Sequence, residues 1–185
     1  MQERTGVTRF KNNPVTLLGS ELKVGDQAPD FQVVDSALNP VTLADFKGKT
    51  KIFCCVPSLD TPVCDSETRR FNQEAAQLSA DIVILTISLD LPFAQKRWCA
   101  AAGIERVTVL SDYQEHSFGS AYGVVIKELK LLSRAIFIVN AADKLTYIQH
   151  VPEITNEPDY AAVLATVKQE IPTKEIPGDG VCGGY

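Results

Sequence analysis

Five cysteines are the residues best suited to covalent chemistry in this 185-residue chain: Cys54, Cys55, Cys64, Cys99 and Cys182. A thiolate is a strong nucleophile and a metal ligand, whereas a buried thiol is only a small apolar side chain. The set is odd in number and widely scattered, a poor disulfide framework for a secreted domain. In a reducing compartment each cysteine is a core filler, a metal ligand or a reactive thiol. Cys54 and Cys55 are neighbours in the apolar run Ile52 to Val56. On a strand their side chains point to opposite faces, so they cannot share one metal. There is no Cys-x-x-Cys pair, and His116 and His150 have no metal-ligand spacing. Both cysteines read as core residues, and no metal site is expected.

Cys64 has a different setting. Thr61-Pro62 is a strong helix start, with Thr as N-cap and Pro at the first helical position. Phe71, Ala75 and Leu78 recur at helical spacing, and counting back puts Thr68 and Cys64 on the same inward stripe, with Ser66, Arg69, Arg70 and Gln73 on the solvated side. Cys64 is therefore expected in a first helical turn, directed at the protein body. First-turn N–H groups lack intrahelical acceptors and form the positive end of the helix dipole, a setting that suits a thiolate. Plain burial is the competing reading at this point.

The elements that must position these residues follow from the pattern of the chain. Gly6 to Phe10 and Pro14 to Leu17 flank Lys11-Asn12-Asn13 and predict a β-hairpin. Strands are expected at Phe31 to Val34, Val41 to Leu43, Ile52 to Val56, Ile82 to Ser88 and Val107 to Leu110. A second helix begins near Pro92 and ends about Gly103, with Cys99 on it and away from a Phe93/Ala100/Ile104 face. A short helix is expected over His116 to Tyr122 and an antiparallel pair at Ala135 to Val139 and Leu145 to His150. Pro158 opens a last helix reaching Ile171. The order β–α–β–α–β, then β–β–α, predicts an α/β thioredoxin-like fold: a mixed central sheet flanked by helices, with an N-terminal β-hairpin. Residues 1–171 are expected to form one domain. The Pro- and Gly-rich residues 172–185, with Cys182, are expected to form a flexible tail.

The motifs then identify a resemblance. Pro57-Ser58-Leu59-Asp60-Thr61-Pro62-Val63-Cys64 resembles the Pro-x-x-x-Thr-x-x-Cys pattern of peroxiredoxins. Gly25-Asp26-Gln27-Ala28-Pro29-Asp30-Phe31 resembles the family's entry into its first core strand. Thr68-Arg69-Arg70-Phe71-Asn72, Asp90-Leu91-Pro92-Phe93-Ala94-Gln95 and Asn13-Pro14-Val15-Thr16-Leu17 resemble the thiol peroxidase subfamily, the atypical 2-Cys peroxiredoxins. The likeness covers about Gly6 to Ile171. It implies Cys64 as the peroxidatic cysteine, Thr61 as its hydroxyl partner, Pro57 as a shield of the pocket and Arg134 as the active-site arginine. It implies Cys99 as the resolving cysteine. It also implies a homodimer, no metal or organic cofactor, and re-reduction by thioredoxin after hydroperoxide has been reduced. Cys182 departs from the subfamily; it is read as an incidental thiol, with a resolving role across a dimer as the alternative.

Elementary chemistry limits what ionisation can supply. An ordinary cysteine thiol of pKa ~8.5 is about 3% ionised at pH 7, and a drop of ~2.5 units raises the thiolate roughly 30-fold. Nucleophilicity falls roughly tenfold over the same interval, at a Brønsted slope of about 0.45. The net gain is only a few-fold. Most of the catalysis must come from positioning the peroxide and stabilising the departing oxygen. The donors available are the amides around Val63 and Cys64, the Thr61 hydroxyl and the Arg134 guanidinium. Asp60, Asp65 and Glu67 oppose this field unless they point to solvent. Asp65, ~100° round the helix from Cys64, is expected to do so, and the orientation of Glu67, ~60° away, is left open. A disulfide needs Cα atoms within ~7 Å, so local unwinding of both cysteine-bearing helices is expected in each cycle.

Simpler roles compete at each position. Thr61 could be only an N-cap, Arg134 a surface or interface ion pair, Pro57 a strand terminator and Cys99 a core residue. Phe53, Phe71, Trp98 and Phe137 are expected in the core or an interface. The formal net charge of −5 and the lack of a Lys/Arg cluster argue against nucleic acid or an anionic membrane as partner. No apolar leader or spanning segment is visible, and the expected location is the cytoplasm. A peroxide-sensing redox switch with little turnover is the alternative function.

Overall fold

The computed structural model describes residues 1–170. Cys182 and the expected tail lie outside the described residues. The chain opens with a hairpin of β1 (Glu3–Phe10) and β2 (Asn13–Leu18), paired from Glu3↔Leu18 to Phe10↔Asn13. Lys11 (φ 50°) and Asn12 (φ 65°) form its two-residue turn, both left-handed as a type I′ turn demands. The Glu153 carboxylate accepts both of their amides, at 3.1 and 2.8 Å.

Two short strands, β3 (Gln32–Val34) and β4 (Pro40–Thr42), precede β5 (Thr50–Cys55), α1 (Pro62–Glu74) and β6 (Ile82–Ser88). Next come α2 (Pro92–Ala102), β7 (Thr108–Ser111), α3 (Ser117–Ala121), β8 (Val125–Ile126) and β9 (Leu131–Leu132). The described chain closes with β10 (Ala135–Val139), β11 (Leu145–His150) and α4 (Tyr160–Glu170). The main sheet has the order β11-β10-β5-β6-β7-β3-β4. The pairs β5–β6 and β6–β7 are parallel, while β10 is antiparallel to β5 and to β11. This is the expected mixed sheet, and it forms because each parallel pair is joined by a crossover helix, α1 or α2.

Every residue of β5 is buried, which is why its Ile52 to Cys55 part reads as a continuous apolar run; buried Lys51 at its start is paired with Asp143. Its pleat divides the core. Phe53 and Cys55 face a layer with Phe118, Tyr122 and Phe137; Ile52 and Cys54 face one with Phe71, Val163 and Val167. Phe118 and Tyr122 stack at 4.1 Å, with Phe31, Phe53 and Phe137 edge-on around them. Cys54 and Cys55 are wholly buried on opposite faces, and burial pushes both thiols well above their ordinary pKa, so they are inert filler.

Two features differ from the sequence expectation. The hairpin does not stand alone: β2 pairs with β8 and β8 with β9, giving a second sheet of order β1-β2-β8-β9. Strands of two residues are too short to show a period, so only their pairing, β8 on β2 and β9 on β8, reveals them. On α2, Phe93 is 65% exposed and Ala100 is exposed, so the Phe93 face is the solvent face, and the buried positions are Pro92 and Gln95. Phe71, Phe53 and Phe137 are core residues as expected, and Trp98 is half-buried. Among the described residues no helix is long and apolar enough to cross a membrane.

Candidate active site

The candidate site lies beyond the carboxyl ends of the parallel strands β5, β6 and β7, where an α/β sheet leaves its crevice. After β5 the chain passes through buried Val56 and Pro57, then a loop over Ser58–Asp60. That loop is held by Asp90, which follows β6. The Asp90 carboxylate accepts the Ser58 hydroxyl at 2.7 Å, the Leu59 amide at 2.8 Å and the Ser88 hydroxyl at 2.8 Å. Gln95 on α2 donates to Ser88 Oγ at 3.0 Å and to the Leu110 carbonyl at 2.9 Å. Asp90 thus fixes the loop just upstream of the reactive helix turn, a role that its sequence position alone does not disclose.

Thr61 takes the extended N-cap conformation of α1, but its hydroxyl caps no amide. The hydroxyl donates to the Ser58 carbonyl at 2.9 Å and lies 2.6 Å from Cys64 Sγ. A hydroxyl has a single proton. While it donates to the carbonyl it can only accept from a Cys64 thiol, and once sulfur is a thiolate the proton can turn to it. The N-cap-only reading of Thr61 is therefore excluded. The first helical bond runs from the Asp65 amide to the Thr61 carbonyl, 3.0 Å, leaving the Val63 and Cys64 amides without helical acceptors. Pro62 at the first helical position removes a further competing donor.

Arg134 arrives from the opposite side. It directly precedes β10, whose Ala135 pairs with Cys55 at the end of β5, so the strand register delivers it to the crevice. Arg134 is 1% exposed, and each of its three guanidinium nitrogens is engaged. Nε donates to the Ile154 carbonyl at 2.9 Å, Nη2 to Cys64 Sγ at 3.1 Å and Nη1 to Glu67 Oε2. Burial works against the cation, and Glu67 and Cys64 more than offset it, so its pKa stands above the ordinary value. The surface-ion-pair reading of Arg134 is excluded by its burial.

Glu67 is the functional neighbour that sequence reasoning did not place. It is fully buried on the inward stripe Cys64, Glu67, Thr68 and Phe71 of α1. Its second oxygen, Oε1, has no hydrogen-bond partner among the described residues. Burial raises its pKa to about 7, with Arg134 pulling in the other direction. The available signal was helical phase, since ~60° from Cys64 lies within a core-facing stripe more than ~100° wide. Asp65 is one-third exposed, but it is occupied: it accepts Trp98 Nε1 at 3.1 Å and Arg69 Nε at 2.8 Å. Arg69 is accordingly more than a solvated side chain.

Cys99 is half-buried on α2, and burial raises its pKa. It does not join the Cys64 cluster of Val56, Leu59, Trp98 and Val109. Instead it lines a separate cleft of about 230 Å³ with Asp35, Gln95, Thr108 and Val109. All four cysteines in the described residues are free. Cys64, Thr61 and Arg134 are thus brought into contact, Val63 shares their helical turn and Pro57 lies buried in the segment leading to it, and Cys99 is in none of these contacts.

The Thr61 contact gives a direct prediction. Thr61→Val lowers kcat/KM for peroxide by about 100-fold, since it removes one donor at the reacting sulfur. It lowers stability by only about 1 kcal/mol, the worth of one hydrogen bond. Thr61→Ser keeps the hydroxyl and most of the rate. Stopped-flow peroxide consumption and urea unfolding measure the two effects separately.

The fold and this constellation define the class. The chain belongs to the redoxin family and, within it, to the thiol peroxidases, a group of peroxiredoxin-type oxidoreductases. The family model described as Redoxin matches residues 23–164. The thiol peroxidase of Oceanobacillus iheyensis is 60% identical over 156 residues, covering 84% of this chain and 94% of that protein. The thiol peroxidase of Bacillus subtilis is 54% identical over 159 residues, 86% and 95% of the two chains. Among solved structures, a peroxiredoxin-like protein from Aquifex aeolicus superposes with a TM-score of 0.85 at 43% identity, covering 92% of this chain and all of that one.

Proposed function

We propose that this chain, as one catalytic domain over residues 1–171, is a thioredoxin-dependent thiol peroxidase of the cytoplasm that reduces hydrogen peroxide and small organic hydroperoxides and works as a homodimer. The observation that carries the reading is Cys64 Sγ held between the Thr61 hydroxyl and the Arg134 guanidinium, at 2.6 and 3.1 Å. In the first step the Cys64 thiolate attacks the terminal peroxide oxygen. The S–O bond forms, the O–O bond breaks, and the departing alkoxide or hydroxide takes a proton to leave as alcohol or water. Two donors beside sulfur are also within reach of an oxygen approaching it in line, so they stabilise charge as it moves from sulfur to oxygen. The Val63 and Cys64 amides add two further donors, and buried Pro57 excludes water on the strand side.

In the second step the Cys99 thiol condenses with the Cys64 sulfenic acid, forming the disulfide and releasing water. A dithiol then reduces the disulfide through a mixed disulfide, taking the oxidation onto itself. Thioredoxin is the dithiol that the family likeness favours. Leu91 and Phe93, 52% and 65% exposed at the start of α2, offer apolar surface to a second subunit.

Disulfide mapping by mass spectrometry after one equivalent of hydrogen peroxide tests the reading. A Cys64–Cys99 disulfide is expected in the wild type, and a Cys64 sulfenic acid trapped by dimedone in Cys99→Ser. A Cys64–Cys182 link between two chains in the wild type would overturn the role of Cys99.

A further inference from the structure

The two helices that carry the reacting cysteines are fastened to each other by a polar stripe that takes no part in the chemistry. On α1, Asp65, Arg69 and Asn72 stand at positions i, i+4 and i+7, one line along the helix. Asp65 accepts the Trp98 indole N–H at 3.1 Å, and Arg69 Nε bonds the same carboxylate at 2.8 Å. Arg69 Nη1 donates to the carbonyl of Ala102, the last residue of α2, at 3.0 Å, and its guanidinium lies 5.9 Å from the Trp98 ring centre. Asn72 Oδ1 accepts the amides of Glu105 and Arg106, at 3.2 and 2.8 Å, just after that helix. Three consecutive side chains of the stripe thus hold the indole, the carboxyl end and the exit loop of α2.

Trp98 is the residue next to Cys99, and it packs on the Cys64 cluster while Cys99 lines the cleft beyond. Neighbouring helix positions diverge by ~100°, so an α2 that seats Trp98 on the Cys64 cluster turns Cys99 away from it. The Cys99 thiol reaches Cys64 only after Trp98 has left, and Trp98 leaves only when its bond to Asp65 breaks and the Arg69 bond to the Ala102 carbonyl gives way. Meanwhile the Cys64 sulfenate has a competing fate. A second peroxide oxidises it to the sulfinic acid, the peroxide being reduced to alcohol or water.

We propose that Arg69, with Asp65 and Trp98, is a latch that sets how long the Cys64 sulfenic acid waits for Cys99, and so divides it between disulfide and sulfinic acid. Arg69 is a positioning residue: it is exposed, touches neither sulfur, and acts through the seat of Trp98. The proposal rests on the Cys64–Cys99 disulfide of the preceding section.

Trp98 is the sole tryptophan of the chain, so its fluorescence follows the latch directly. On mixing with peroxide, stopped-flow fluorescence of the full chain should show a fast phase linear in peroxide and a slower phase independent of it. Arg69→Ala should leave the first unchanged and speed the second by about three- to tenfold, the equilibrium weight of one ordinary hydrogen bond lost at a solvent-exposed site. The ratio of sulfinic acid to disulfide at Cys64, read by mass spectrometry at high peroxide, should fall by the same factor. Arg69→Lys, which keeps the charge with a single donor, should lie between. Arg70→Ala is the control, because Arg70 pairs with Glu74 and lies over Tyr160 without touching α2.

Trp98→Phe removes the indole donor and is followed by mass spectrometry alone; it too should lower the sulfinic acid yield. An unchanged slow phase and unchanged sulfinic acid in Arg69→Ala would overturn the latch, as would the same change in Arg70→Ala. A wild type lacking the Cys64–Cys99 disulfide overturns the underlying function instead, and the mapping experiment reads that separately.

Discussion

Arg134→Lys should lower the second-order rate constant with hydrogen peroxide by about 10²- to 10³-fold, the cost of removing an oriented donor from a site of developing negative charge. Arg134 serves three acceptors at once through Nε, Nη1 and Nη2. A lysine ammonium is a point charge on a flexible stem and cannot hold Ile154, Glu67 and Cys64 in one plane. The informative comparison is with a reaction that needs the thiolate but no departing oxygen. Alkylation of Cys64 by iodoacetamide should fall by less than about tenfold in the same variant, because the charge is retained. Equal losses in the two reactions would mean that Arg134 acts only by ionising the thiol. That result would contradict the arithmetic that makes ionisation worth only a few-fold.

Glu67 should carry the second large effect, and its sign is fixed by burial. Its carboxyl is raised from the ordinary 4.5 to about 7, so the folded chain binds this proton more tightly than the unfolded chain does. The stability linked to it is therefore fully present below about pH 4.5 and is lost as pH rises through about 7. At 1.36 kcal/mol per pKa unit the loss is on the order of 3 kcal/mol between those limits. Glu67→Gln cannot titrate, so the difference in unfolding free energy between variant and wild type should move in favour of the variant by about that amount from pH 4.5 to pH 8. Urea unfolding at a series of pH values measures it. A difference that stays flat would show that Arg134 holds Glu67 ionised throughout. Glu67→Ala should be worse at every pH, by about 3–5 kcal/mol, because it leaves a buried guanidinium without its carboxylate partner. His150 does not mimic the signal: burial lowers its pKa to about 4, so its contribution changes in the opposite direction, being lost as pH falls from 6.5 through about 4.

These two residues also show how the site is built. Cys64 and Glu67 come from one helix turn, yet the charge that balances them comes from a residue 70 positions further along, fixed by the pairing of Ala135 with Cys55. The pairing explains why a buried carboxylate so close to a reactive thiol is tolerated. Arg134 lies between them and is shared, and the field that opposes a thiolate at Cys64 is largely spent on the guanidinium. Asp90 makes the same point on a smaller scale, since its three acceptor contacts fix the Ser58–Leu59 loop and, through the Ser58 carbonyl, the Thr61 hydroxyl.

Features that depend on local period and local chemistry are legible in the residues alone. The 3.6-residue stripe of α1, the Thr61-Pro62 start, the buried run of β5 and the Gly103 stop of α2, at φ 67°, are all set by nearby residues. So is the placing of Cys64 in a first turn facing inward, and the sorting of Cys54 and Cys55 to opposite faces. Tertiary structure alone decided whatever depends on which strand lies beside which. The second sheet exists because β2 captures β8 and β8 in turn pairs with β9, two-residue strands that have no period of their own. The exposed side of α2 differs from its sequence pattern because Phe93 is apolar and yet has no covering element among the described residues. Glu67 and Arg69 look alike in sequence, as charged residues on one helix. Only the arrival of Arg134 on one face and Trp98 on the other separates the buried counter-charge of the site from the clasp on its neighbour helix.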